Sequence, residues 1–178
     1  MSGFDALYKQ TVTLFNRIDM LKAPAVVGEA VAGVTVVGGR VGDKRAYNTY
    51  WIPILLRNVH LIVDRSIIVS TYGEQAADNA KLHVRYFPSG EDAVIEGRRY
   101  YKPKEYARLA LGDDAITFRF GDNFDFFIEG DFTSFGMVDD EEYRSGFYNY
   151  MNKMYDNVFA ITNVAKFNLI PHFEIVAR

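Results

Sequence analysis

No cysteine occurs among the 178 residues. Disulfides, thiolate metal sites and cysteine nucleophiles are excluded together, and a reducing compartment such as the bacterial cytoplasm is the expected setting. Charge of one sign is not in large excess either. The 20 Lys and Arg stand against 23 Asp and Glu, for a formal net charge of −3. Neutralising a phosphate backbone needs a concentrated basic face, so sequence-specific nucleic-acid binding is not expected. No uninterrupted apolar run reaches the roughly 18 residues of a membrane helix. The opening MSGFDALYKQ lacks the basic start and apolar stretch of a secretion signal, so a soluble protein with no membrane partner is expected.

What the chain has in quantity is aromatic surface. Phe and Tyr number 14 and 12, and aromatics make up 15% of the residues. Flat side chains pack well on pleated surfaces, which favours strands. The length suits one domain spanning residues 1–178 with one core. Alternating apolar and polar positions predict strands over Gln10 to Ile18, Lys81 to Phe87, Val158 to Phe167 and His172 to Val176. Tyr47 to Tyr72 reads as two or three strands, broken at Arg57-Asn58 and Asp64-Arg65-Ser66, with Pro53 restricting it to an edge or bulge. ITFRF and DFFIEGDF flank a Gly-Asp-Asn turn and read as a hairpin. Two helices are predicted. Pro103 to Leu109 opens with the proline that a first helical turn tolerates. Asp139 to Tyr155 opens with acids favourable at a helix N-terminus and carries Tyr143, Phe147, Tyr150 and Met154 at helical spacing. Asp19 to Ala46 has no stable period and reads as a loop or arm insertion. The fold class expected is mainly β: a small antiparallel β-barrel or sandwich with one or two peripheral helices.

Motifs for chemistry are missing. The Gly-rich VTVVGGRVGDKR has neither the order of a phosphate-binding P-loop nor dinucleotide-binding spacing. His60, His83 and His172 all fall in predicted strands, and no local spacing sets two of them on one face. The acids Asp113, Asp114, Asp122, Asp125, Glu129 and Asp131 surround one turn and read as solvated positions. The few serines lie in no nucleophile elbow. No catalytic residue, metal ligand or cofactor is expected, and the chain reads as a non-enzyme. What remains is a mixture of Tyr47, Tyr50, Trp51, Tyr100, Tyr101 and Tyr106 with Arg98, Arg99, Lys102 and Lys104. Aromatics and arginine carry protein interfaces, so a partner-binding edge is expected there.

The order of segments resembles a family. TVTLFNR, YWIPILLRNVHLI, KLHVRYF, YYKPKEYARL, ITFRFGDNFDFFIEGDF and FAITNVAKFNLIPHFEIVA follow one another as in small minor capsid proteins encoded among head and connector genes of tailed phages and prophages. The most specific element is Tyr101, Pro103, Lys104, Glu105 and Tyr106, which becomes the candidate partner-binding site. The overall plan is similar to head-closure proteins. The resemblance implies a virion structural protein at the head-to-tail connection, assembling with portal-side adaptors, tail proteins or copies of itself in a ring. The insertion and the acidic helix depart from that family. A tail-terminator protein, or a ligand- or carbohydrate-binding barrel of the tail tip, is the alternative.

Overall fold

The computed structural model describes residues 7–21, 47–70, 73–90, 92–109 and 114–178, with 64–70 and 73–79 described by their backbone. Six antiparallel strands close into a barrel. They are β1 (Gln10–Leu21), β2 (Tyr47–Ser70), β3 (Gly73–Arg85), β8 (Phe126–Glu129), β10 (Val158–Phe167) and β11 (His172–Ala177). Their order around the wall is β1, β8, β10, β11, β3, β2 and back to β1. A second sheet holds β4 (Phe87–Ser89), β5 (Asp92–Ile95), β6 (Arg98–Tyr100) and β7 (Ala115–Ile116), of which β6 and β7 run parallel. The short β9 (Val138–Asp139) adds to β2 at Tyr50 and Trp51. The helices are α1 (Pro103–Tyr106) and α2 (Phe147–Met154).

The expected alternation fills the barrel. Val12 and Leu14 of β1, Leu82 and Val84 of β3, and Phe173 and Ile175 of β11 all point inward and are buried. Ala93, Ile95, Ile116 and Phe118, in and beside the second sheet, join the same interior cluster. A second cluster lies on the other face of the wall, where Phe15, Trp51, Phe126, Ile128 and Val158 meet Phe147 and Met151 of α2. One wall is thus apolar on both faces, and two cores share it where a single core is expected from length. Phe15 stacks on Phe126 at 4.8 Å and meets Phe147 edge-on at 5.2 Å. Burying side chains of this size stabilises the fold by roughly 2–3 kcal/mol each.

Several local expectations are corrected. Residues 47–70 form one continuous strand, and the Arg57-Asn58 step is a bulge where the pairing shifts from Val12↔Leu56 to Gln10↔Val59. Asn58 takes a left-handed φ of 51° there. The Gln10 side chain repairs the interrupted ladder: its Nε2 donates to Leu61 O at 3.1 Å and its Oε1 accepts from Leu61 N at 2.8 Å. Pro53 stands opposite Phe15, while the pairings on its other side run at Tyr50–Trp51 and from His60 onward. A proline, which has no N–H to donate, is tolerated in such a local gap. ITFRF and DFFIEGDF do not pair as a hairpin. β7 pairs with β6, and β8 pairs with β1 and β10. Asp139 to Tyr155 is not one helix but β9, a 3₁₀ turn over Asp140–Glu142, and α2. Gly146, at a φ of 84°, separates the acids from α2. The insertion expected over 19–46 lies, beyond Leu21, outside the described residues; Asp19, Met20 and Leu21 continue β1 opposite Thr49, Asn48 and Tyr47.

One part of the β2–β3 ladder stands apart. The pairing between these strands runs from His60↔His83 to Ser70↔Gly73, whereas β11 accompanies β3 only as far as Ala80. From Asp64↔Asn79 outward, the two strands form a ribbon with no third strand paired to it among the described residues.

Candidate functional site

The three histidines, scattered in sequence, meet on the outer face of β2, β3 and β11. Because Leu82 and Val84 point inward, His83 must point outward, and pairing places His60 on one side of it and Glu174 on the other. The His60 and His83 rings stack at 5.7 Å, and His83 and His172 lie at 5.6 Å. Tyr8 extends the row beyond His60 at 5.9 Å, and Phe167 extends it beyond His172 at 4.9 Å with planes 9° apart. Five rings therefore run in series across the sheet. Among the described residues no group of three His, Asp or Glu side chains is placed to hold a metal ion.

A groove of about 790 Å³ opens along this row, walled by Leu7, Tyr8, Phe87, Pro88, Ile170 and Pro171. A second hollow of about 510 Å³ shares Tyr8, Arg85 and Phe87 with it and continues toward the bulge at Arg57 and Asn58. The walls are unusually apolar for a surface, with Phe87 76%, Ile170 56% and Leu7 53% exposed. The adjoining turn carries Leu169, which is 99% exposed.

That turn is held in place by polar contacts. The Tyr86 hydroxyl donates to Asn168 Oδ1 at 2.7 Å, and Tyr86 N–H donates to Pro171 O at 3.3 Å. His172 Nδ1 lies 2.7 Å from Ile170 O. A carbonyl only accepts, so Nδ1 carries the proton. The groove is therefore shaped before anything binds.

Arg85 lines both hollows, and the smaller one also holds Arg57 and Glu96, which pair at 3.9 Å. The Arg85 guanidinium lies 3.9 Å from the centre of the Tyr8 ring, and Lys166 Nζ lies 4.9 Å from that of Tyr86. Lys81 and Glu174 stand on the same face beside His83. Burial pushes the His83 imidazole below its ordinary value; Glu174 opposes this, while His172, His60 and Lys81 reinforce it.

The candidate partner-binding residues fall elsewhere, and none lines the groove. Tyr101 is half-buried, with the Arg99 guanidinium 5.0 Å from its ring centre. Its N–H donates to Ile116 O and its carbonyl accepts from Thr117 Oγ1 at 2.9 Å. Pro103, at the start of α1, is half-buried, and Lys104 and Glu105 are exposed. Tyr106 is only 8% exposed, with the Arg119 guanidinium 5.6 Å from its ring centre. Burial first, and Asp125 second, push its phenol up to about 12. Tyr106 thus serves packing, leaving Lys104 and Glu105 as the outward part of the motif.

The acids divide similarly. Asp114, Asp122, Glu129 and Asp131 are exposed as expected, and Asp113 lies outside the described residues. Asp125 is the correction, because it is wholly buried and paired with Arg119. Its carboxylate accepts from Arg17 N, Arg119 N and the Arg119 guanidinium. Burial pushes the carboxyl up, to about 6, against the pull of those donors. Its partners hold β1 and the 119–125 turn together, which is a structural task.

The model of a family of unknown function, DUF6751, matches residues 30–178. No curated protein and no solved structure matches the chain.

Proposed function

We propose that this chain, which belongs to the DUF6751 family of unknown function, acts by assembly: it joins a larger protein complex through the outer face of its barrel. The observation that carries this reading is the cluster of exposed apolar side chains at one end of that face, Leu7, Phe87, Leu169 and Ile170. Such a patch, bounded by polar groups, marks interaction surfaces on globular proteins. The edges of the β2–β3 ribbon beyond Ala80, which carry no third strand among the described residues, support the same reading, since they present backbone groups that another strand can pair with.

The finer placement is the head-to-tail connection of a tailed phage or prophage, and it rests on the resemblance in segment order. Deleting the gene from such a phage should yield tail-less heads beside free tails in electron micrographs. A Phe87→Asp/Leu169→Asp variant should fold and fail to restore joining. Normal infectious virions from the deletion would remove this placement. A second reading, ligand binding at the tail tip, draws on the preformed aromatic groove; particles with complete tails but poor adsorption would favour it.

A further inference from the structure

The apolar end of the outer face carries a projection and a recess side by side, and the one suits the other. We propose that two copies of this chain pair across a two-fold axis, the turn 168–171 of each entering the groove of its partner. This rests on the assembly reading above and names the partner as a second copy.

The projection stands ready-made. Leu169 is almost wholly exposed, and its turn, Asn168-Leu169-Ile170-Pro171, carries no charged residue. The Tyr86 hydroxyl lies 3.1 Å from Phe167 O and 2.7 Å from Asn168 Oδ1, and Tyr86 N–H donates to Pro171 O. A turn already fixed in its bound shape loses little freedom on association, and that loss is a large part of what binding costs.

The recess matches it in chemistry. The hollow of about 790 Å³ is mostly apolar inside, and Arg85, the one residue of permanent charge lining it, is engaged by the Tyr8 ring. An uncharged turn can enter without stripping water from an ion.

Area favours a folded partner over a small molecule. At about 150–200 Å² for a whole side chain of this size, the exposed fractions of Leu7, Phe87, Phe167, Leu169 and Ile170 leave roughly 500–650 Å² of apolar surface. A standard interface takes about 800 Å² from each partner, of which about 56–65% is apolar. The patch supplies that apolar share.

Placement favours a second copy. A two-fold contact joins a patch to itself, so one patch must hold both halves of the fit. Here they share residues, because Ile170 and Pro171 belong to the turn and also wall the groove. An unrelated partner would require only one of the two.

Sedimentation equilibrium of the full chain, from about 1 to about 200 μM, tests the pairing. The expected result is a reversible dimer, and Leu169→Asp, at a side chain too exposed to matter for folding, should weaken it at least roughly tenfold. The chain has no cysteine of its own, so oxidation of mixed Leu169→Cys and Phe87→Cys chains reports which residues meet. The mixed disulfide should exceed both symmetric ones. A monomer throughout the range, or an excess of a symmetric product, overturns the proposal. So does a dimer that Leu169→Asp leaves intact, which would place the contact elsewhere, as on the ribbon edges. If the chain stays monomeric while the Phe87→Asp/Leu169→Asp variant still blocks assembly, this inference falls and the assembly reading stands. If the dimer forms as described and that variant assembles normally, the assembly reading falls and the pairing stands.

Discussion

The Arg119 guanidinium places Nη2 3.0 Å from Oδ1 of Asp125, an ion pair in which the carboxylate is fully buried and the arginine side chain is 10% exposed. The same arginine lies over the Tyr106 ring. One pair therefore ties α1 to the turn that leads into β8.

Breaking that pair from the arginine side should be severe. Arg119→Met leaves a buried carboxylate with only backbone donors, a loss of roughly 3–5 kcal/mol at neutral pH. The folded carboxyl already sits at about 6, above the ordinary 3.8. Stability linked to this group is thus fully present below the lower value and lost as pH rises through the higher one. Without the guanidinium the folded value climbs further. Urea titrations of the variant should show its deficit shrinking as pH falls toward 5, and a deficit independent of pH would contradict this assignment.

Asp140 joins two layers. Its Oδ1 accepts from Trp51 Nε1 at 2.8 Å and from Phe147 N at the start of α2 at 2.7 Å. Asp140→Ala should cost about 1–2 kcal/mol for the lost cap, with a further loss for the indole N–H. Trp51→Phe removes the indole N–H contact together with part of the ring's packing, and the cycle separates the two. A double-mutant cycle read by thermal unfolding should give a coupling above zero, and strict additivity would show that the indole contact contributes nothing.

Asn16 points into the barrel end and pairs with a backbone. Its Nδ2 donates to Thr117 O at 2.9 Å, and its Oδ1 accepts from Thr117 N at 3.3 Å. Asn16→Ala leaves both backbone groups buried without partners, at about 1–3 kcal/mol each. Amide hydrogen exchange should speed up at Thr117 more than at Ile161, on the far strand, and equal acceleration would point to a global effect.

How much of this was legible in the sequence depends on how local its cause is. Lys81 to Arg85 alternates cleanly, and β3 follows from it because one face is buried and the other is not. The strands of the β10–β11 hairpin are readable for the same reason. The helix expected from Asp139 fails because its acids are used otherwise, Asp140 on Trp51 and Asp139 on Glu141 N. Asp125 looks like a turn residue until Arg119 and Arg17 come to it from two directions. The histidine row is the hardest case. Outward phase was visible at His83, between Leu82 and Val84, but which strands lie beside β3, and in what register, is decided by the whole barrel. Residues without a local pattern became a site through pairing alone.

The same row makes the fold respond to acid. His83 sits below its ordinary 6.5 when folded, mainly through burial. A group so shifted contributes stability above the unfolded value that is lost as pH falls through the folded one. Protonation also sets a charge beside His60, His172 and Lys81, which oppose it, and Glu174, which favours it. Asp125 gains stability over the same range, so the His83 contribution is read as a difference: between pH 7 and 5 the melting temperature of His83→Gln should fall less, or rise more, than that of the wild type. A variant with the wild-type slope would assign the acid response to other groups.

The single strand β2 has a mechanical meaning. Its 24 residues give a contour of roughly 80 Å at about 3.3 Å per residue. One half is gripped by β1 and the other continues into the ribbon tip beside β3, which β11 grips in turn. The hydrogen bonds of these ladders run perpendicular to the strands. Tension applied at the tip is therefore borne as shear, shared by many bonds at once, and not as peeling, which breaks them one after another. A pull on the ribbon moves the whole barrel before it strips a strand from it.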